Sequence, residues 1–193
     1  MKEIEVKAKI TNIESLNERL TNLGCQFGSS LIQEDIIFLP IGVEFSEIVK
    51  GTPVVRIRNS NNIITLTLKK RVISENELIK LEKEVIVSDK QMVIEVVEQM
   101  GFHEVVRVEK TRIECKYEEM TICIDNIVGL GHFIEVEKLS ENEKDEKIQD
   151  YLFNFLQSLG INSENRVTKG YDTLIYEKSL NPFDMNNTSP NTG

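Results

Sequence analysis

The chain has 193 residues, 40% hydrophobic and 28% charged, with a formal net charge of −9 and a pI near 4.9. That length suits one large domain or two small ones with a real core, and the acidic balance argues against a broad nucleic-acid or anionic-membrane surface while leaving room for a local basic cavity. Cys25, Cys115 and Cys123 are odd in number and lack paired metal spacing, so they read as buried or half-buried thiols of a reducing compartment. No apolar run approaches the ~18 residues of a membrane span, and no signal-peptide pattern follows Met1. A cytoplasmic protein is the default expectation.

The first stretch alternates strictly. Ile4, Val6, Ala8 and Ile10 fall on one face of a strand, and Glu3, Glu5 and Lys7 on the other. Residues 13–24 have apolar positions at helical spacing, with Thr11 or Asn12 to cap the start and Gly24 to end it. Residues 25–39 read as extended, and 40–52 as a loop of weak periodicity. A hairpin follows, with strands over 53–58 and 63–70 and a turn at Asn59–Asn62, whose short polar side chains tolerate turn conformations. Residues 78–87 form another strand. Ser88 or Asp89 then caps a helix to about Met100, closed by Gly101. Residues 102–116 are one long strand or a bent pair, 117–119 a turn, and 120–128 and 132–139 two strands joined by a tight turn at Gly129–Gly131. The stretch 143–159 is an amphipathic helix ended by Gly160, and 167–178 a last ordered segment around Lys169, Gly170 and Tyr171. We read a single domain over 1–178 and a disordered tail over 179–193, rich in Asn, Pro, Ser and Thr.

About eight strands joined by short turns, with three or four helices, predict an α+β fold. The sheet curls into an antiparallel barrel, and the helices pack on its apolar outer face. The charge pattern gives the interior. Glu3/Glu5, Arg56/Arg58, Glu82/Glu84, Lys110/Arg112 and Glu135/Glu137 each place two like charges two residues apart, hence on one face of a strand. Like charges side by side repel, so such strands make sense together when acidic and basic pairs face one another across a shared polar interior. So many charges would be unstable there unless paired or meant for a ligand. Carboxylates without His or Cys neighbours suit hard divalent ions, Mg²⁺ or Mn²⁺, and Arg and Lys in number suit phosphate oxygens. If these residues converge, they describe a polyphosphate site.

The opening Glu3-x-Glu5-x-Lys7 resembles the signature of the CYTH superfamily, the triphosphate tunnel metalloenzymes. Later matches follow in the family's order: Arg56-x-Arg58, Lys69, Glu82-x-Glu84, Lys110-x-Arg112, Asp125 and Glu135-x-Glu137. The resemblance implies an eight-stranded antiparallel barrel whose tunnel threads a nucleoside or inorganic triphosphate. It implies Glu3, Glu5, Glu135 and Glu137 as metal ligands, Asp125 as ligand or support, and Glu82 and Glu84 completing the acidic side. Lys7, Arg56, Arg58, Lys69, Lys110 and Arg112 would grip the phosphates. Lys7, Glu3 and Glu5 are the catalytic candidates, Lys7 serving as a general base only if its acidic neighbours do not hold it protonated.

A cyclase and a triphosphatase can share this apparatus. The stretch around Gln33-x-Asp35 and Phe38 resembles the class IV adenylyl cyclase branch. The absence of Trp weighs modestly against a thiamine triphosphatase that stacks its ligand on an indole. The first expectation is therefore conversion of ATP to cyclic AMP and pyrophosphate, the second hydrolysis of an inorganic or organic triphosphate. The third is a non-catalytic nucleotide or polyphosphate binder, against which the near-complete acidic set argues. Neither nucleic acid nor membrane is expected as a partner, and a homodimer follows only by analogy with class IV cyclases. His103 and His132 lack ligand-like spacing.

Overall fold

Nine strands form one antiparallel sheet in the order β5-β4-β3-β2-β6-β7-β8-β1-β9. The computed structural model describes residues 2–48, 51–71, 80–140 and 145–180, and only the main chain of Lys2, Glu3, Arg71, Lys80, Leu81 and Asp145. The elements run β1 (Lys2–Lys9), α1 (Ile13–Asn22), β2 (Leu31–Pro40), β3 (Pro53–Ser60), β4 (Ile63–Arg71), β5 (Lys80–Val87) and α2 (Lys90–Gln99). They continue with β6 (Phe102–Tyr117), β7 (Met120–Ile127), β8 (Gly131–Ser140), α3 (Asp145–Ser158), β9 (Arg166–Val167) and α4 (Tyr171–Leu180). Eight strands are long, as expected, and β9 adds a two-residue ninth against β1. Among the described residues no ladder joins β5 to the far edge. The sheet nonetheless curls into a barrel-like tunnel, because Glu82 of β5 and Glu5 of β1 line one cavity.

Local chemistry sets the connections. The β3–β4 turn is tighter than the expected four residues: only Asn61 (φ 46°) and Asn62 (φ 69°) take the left-handed conformation, while Asn59 and Ser60 stay in β3. A two-residue turn of this kind matches the twist of the strands it joins. β6 is a single strand of 16 residues. Its register against β2 shifts between Ile37 and Phe38, where one extra β6 residue bends the strand. Asn12 and Asp89 cap α1 and α2, each side-chain oxygen accepting from a backbone N–H three residues on at 2.9 Å. No helix among the described residues is long and apolar enough to cross a membrane.

Three helices pack outside, as the alternation requires. Ile4, Val6 and Ala8 of β1 are fully buried against a cluster containing Leu16 and Leu20 of α1 and Leu152 and Leu156 of α3. Val93 and Val97 of α2 cover Ile36, Phe38 and Ile57. The fourth departs from expectation. Ile175 and Tyr176 of α4 pack with Ile37, Leu39 and Val106 on the inner face, and the Tyr176 ring stacks on Phe45 at 4.6 Å. Both faces of β2 are thus covered over 36–39, and its burial stops alternating. Phe45 also explains why 40–52 gave no readable period: a 3₁₀ turn over Phe45–Glu47 drops one anchor onto this end. The expectations for most of the tail, and for the strand start at Leu78, lie outside the described residues.

Candidate active site

Alternation delivers the inner-face charges to one cavity of about 190 Å³. Six basic side chains, Lys7, Arg56, Arg58, Lys69, Lys110 and Arg112, line it with Glu5, Glu82, Glu135 and Glu137. Glu84 and Asp125 stand beside this group and bond to its members. The side chain of Glu3 lies outside the described residues. Strand register fixes the arrangement: Lys7 stands opposite Glu135 and Glu5 opposite Glu137 across β1 and β8, while Asp35 faces Arg58 across β2 and β3.

The ion pairs are close and largely buried. Lys7 Nζ lies 2.9 Å from Glu135 Oε1. Burial works against the Lys7 ammonium, but Glu135 and then Glu5 outweigh it and raise its pKa. Glu135 and Glu5 thus hold Lys7 as a cation in this arrangement, the condition under which a general-base role was not expected of it. Burial likewise opposes ionisation of Glu135, yet Lys7, Arg112 and Lys110 keep its carboxyl well below the usual range. Arg112 donates to Glu135 and in fork geometry to Asp125, at 2.7 Å from Nε and 2.6 Å from the terminal nitrogen. Asp125 has no exposed surface and also accepts from Tyr171 at 2.9 Å and Lys110 at 3.4 Å. It acts here as the anchor of the basic wall.

The β2–β3 side repeats the device. Arg58 binds Asp35 through two hydrogen bonds of 2.6 and 2.7 Å. Burial alone would raise the Asp35 pKa; the Arg58 hydrogen bonds and charge reverse this and bring it down to about 2. Arg56 reaches Glu84 at 3.3 Å and Glu82 at 3.5 Å, and Lys69 reaches Glu82 at 2.7 Å. The Lys110 pKa is shifted downward, first by burial and then by Arg112.

Strand alternation did not reveal Tyr171, which reaches the site from α4. Its ring centroid lies 4.0 Å from Lys7 Nζ and 5.1 Å from Lys110 Nζ, and its edge meets Phe133. A ring face stabilises an ammonium without occupying its N–H donors, which leaves them for hydrogen-bond acceptors. Asp35 and Asp172 also line the cavity. Asp35 carries the alternation signal of β2, but it stands alone rather than in a like-charged pair.

The donor set suits a hard divalent cation, since Glu5, Glu135 and Glu137 present only carboxylate oxygens on neighbouring strands. Like charges opposed as Glu5 and Glu137 are would be relieved by a cation between them. The side chains do not stand pre-clustered: among the described residues, no three acidic, imidazole or thiol groups are gathered as an ion site. Glu135 is instead turned onto Lys7 and Arg112.

Residues 1–171 match the CYTH domain. The chain belongs to this family. A Methanocaldococcus jannaschii relative, provisionally named an adenylate cyclase, is 34% identical over 173 residues, 89% of this chain and 97% of that one. A Pyrococcus horikoshii structure is 31% identical with a TM-score of 0.77, covering 91% of this chain and 99% of that one. A Hippeastrum protein, provisionally an adenylyl cyclase and described as revealing a dominant triphosphatase activity, has a TM-score of 0.63 at 17% identity. It covers 93% of this chain and 96% of that one, and at that identity the likeness concerns the fold.

Proposed function

We propose that the protein is a divalent-cation-dependent enzyme acting on a triphosphate held in the tunnel, with adenylyl cyclase chemistry as the first reading. The observation that carries it is the convergence of six basic side chains from four strands on one cavity that also presents Glu5, Glu135 and Glu137. A phosphate chain lying there would meet Lys7, Lys110 and Arg112 on one wall and Arg56, Arg58 and Lys69 on the other. Its charge would replace the carboxylates that now neutralise these cations. Glu5, Glu135 and Glu137 would hold Mg²⁺ or Mn²⁺, whose chemistry is to polarise a phosphoryl oxygen and offset developing charge. The chain's own cations hold the phosphates in line and stabilise charge on the leaving group. The name of the Methanocaldococcus relative supports cyclisation of ATP. The activity described for the Hippeastrum protein, on the same fold, keeps triphosphate hydrolysis as the second reading.

Product analysis separates the two. Purified protein is incubated with Mg²⁺ or Mn²⁺ and either ATP or inorganic triphosphate, and the products are resolved by chromatography. Cyclic AMP with pyrophosphate supports the cyclase. Orthophosphate from either substrate makes the protein a hydrolase, and no turnover of either removes the enzyme reading.

A further inference from the structure

Beyond the phosphate-gripping belt, we propose that Gln33, with Ser60 and Thr65, forms a neutral subsite for the organic part of a nucleoside triphosphate. Gln33 Oε1 would accept a hydrogen bond from a sugar hydroxyl or a base amino group. The proposal rests on the triphosphate reading above and names the substrate class.

The inner-face positions of β2 run Leu39, Ile37, Asp35, Gln33. α4 packs with the first two, Asp35 holds Arg58, and Gln33 stands at the end away from α4. Register places Gln33 opposite Lys110 on β6 and opposite Ser60 on β3, so it adjoins the phosphate-binding cations directly. It is only 6% exposed. Its amide NH₂ donates to Ser60 Oγ at 3.2 Å, and its Oε1 is buried with no hydrogen-bond partner. Thr65, across from Arg58 on β4, likewise buries an Oγ1 with no partner. Buried polar atoms in native structures are nearly always satisfied, and exceptions call for an explanation.

The contrast with the charged belt is the argument. The ion pairs of that belt engage Arg58, Arg112 and Lys7, and its buried unpartnered atom, Arg56 Nε, is a donor of the kind a phosphate oxygen satisfies. The neutral residues one step further along the same strands are incompletely paired. A bare triphosphate offers acceptor oxygens and, once ionised, no donor, so it cannot satisfy a carbonyl such as Gln33 Oε1. A sugar or base carries O–H and N–H groups that can. A site built to hydrogen-bond a substrate group also rejects ligands lacking that group, because its buried polar atom is then left unpaired.

The test is calorimetric titration of the full chain with ATP and, separately, with inorganic triphosphate, in EDTA to stop metal-dependent turnover. Gln33→Leu keeps the side-chain volume and removes the amide; Thr65→Val removes the hydroxyl. We expect Gln33→Leu to weaken ATP binding about tenfold, the worth of one buried hydrogen bond, and to change inorganic triphosphate binding by less than about twofold on the same scale. Thr65→Val serves if Gln33→Leu fails to fold: because a hydroxyl can also donate to phosphate, a loss larger for ATP than for inorganic triphosphate supports the subsite, and equal losses count against it. Equal losses for both ligands would overturn the proposal, placing the amide against phosphate oxygens. Wild-type protein that binds inorganic triphosphate but not ATP would remove the subsite and leave the tunnel reading standing. Binding of neither ligand, in EDTA and again with Ca²⁺ in its place, would remove the tunnel reading itself.

Discussion

The two halves of the tunnel interior are made by the same strands and obey opposite rules. On β2, Asp35 is buried in a forked ion pair with Arg58, and two residues on Ile37 is buried against α4. On β6, Lys110 and Arg112 belong to the charged half, while Val106 and Val108 lie in apolar clusters with α4 residues. Burying charge is costly and is offset only by close pairing; burying Ile37, Leu39 and Val106 stabilises outright. Binding capacity and stability are thus separated along the strand direction. The charged half is held in place by the apolar half rather than contributing equally to it.

Substitutions that attack one half at a time test this separation. The largest effect is expected from Glu5→Gln, which should lower metal-dependent turnover about 10³-fold or more, on the scale of losing electrostatic stabilisation of the reacting phosphates. Its thermal melt should move little. Glu135→Gln should match that loss and also destabilise by roughly 3–5 kcal/mol, because Lys7 and Arg112 would be left as under-compensated buried cations. A Glu135→Gln melt as high as wild type would mean that the charged half is not structurally coupled to these pairs. Next comes Leu39→Ala in the apolar half, with a cost of about 2–5 kcal/mol read by urea unfolding, while the folded fraction keeps its affinity for triphosphate. Loss of affinity without loss of stability would break the division.

Arg56→Ala should weaken triphosphate binding about 100-fold, some 2.7 kcal/mol, and monophosphate binding far less, since only a long chain spans both walls. Equal losses would count against that geometry. The pH dependence follows from Asp35, whose folded pKa of about 2 lies below its ordinary 3.8. A depressed carboxyl pKa contributes stability that is whole above about pH 4 and is lost as the pH falls through about 2. The share is roughly 2 kcal/mol, and Asp35→Asn should flatten the wild-type stability profile in that window. The smallest effect is expected at Tyr171. Tyr171→Phe keeps the ring under Lys7 and should cost about threefold in triphosphate affinity, whereas Tyr171→Leu removes the ring and should cost more, within the ~0.5–2 kcal/mol of a cation–π contact. Identical losses in the two variants would remove the ring from the account.

Much of this was legible because a period of two is hard to hide. The pairs Arg56/Arg58, Lys110/Arg112 and Glu135/Glu137 each declare an inner face, and Ile4, Val6 and Ala8 declare the outer one. Asn12, Asp89 and Gly101 gave helix ends within a residue or two. Where the pattern mixed two environments it failed. Ile36 to Leu39 is apolar throughout because α2 lies on one face and α4 on the other, and no periodicity reports that. α4 itself is apolar in patches on several sides, so 167–178 looked ordered but shapeless. The segment around Tyr171 stood out as ordered, but Tyr171 was not named as a site residue, because its role comes from a tertiary contact with Lys7 and Asp125, not from spacing. The pairing of acids with bases was foreseen in kind, but not that Glu135 would serve two cations at once.

The open edge of the sheet has a mechanical consequence. Among the described residues, β5 is bonded to β4 alone, and no ladder ties it to the strands it meets around the cavity. Spreading the barrel at this seam therefore breaks no inter-strand backbone bonds there, whereas widening it anywhere between β2 and β8 would break a full ladder. Glu82 rides on that edge strand, and its pairs with Lys69 and Arg56 reinforce the attachment of β5 to β4 and β3, on its own side of the seam. With a ladder on one side only, amide protons of β5 should exchange with solvent sooner than those of β6 and β7, which are paired on both sides.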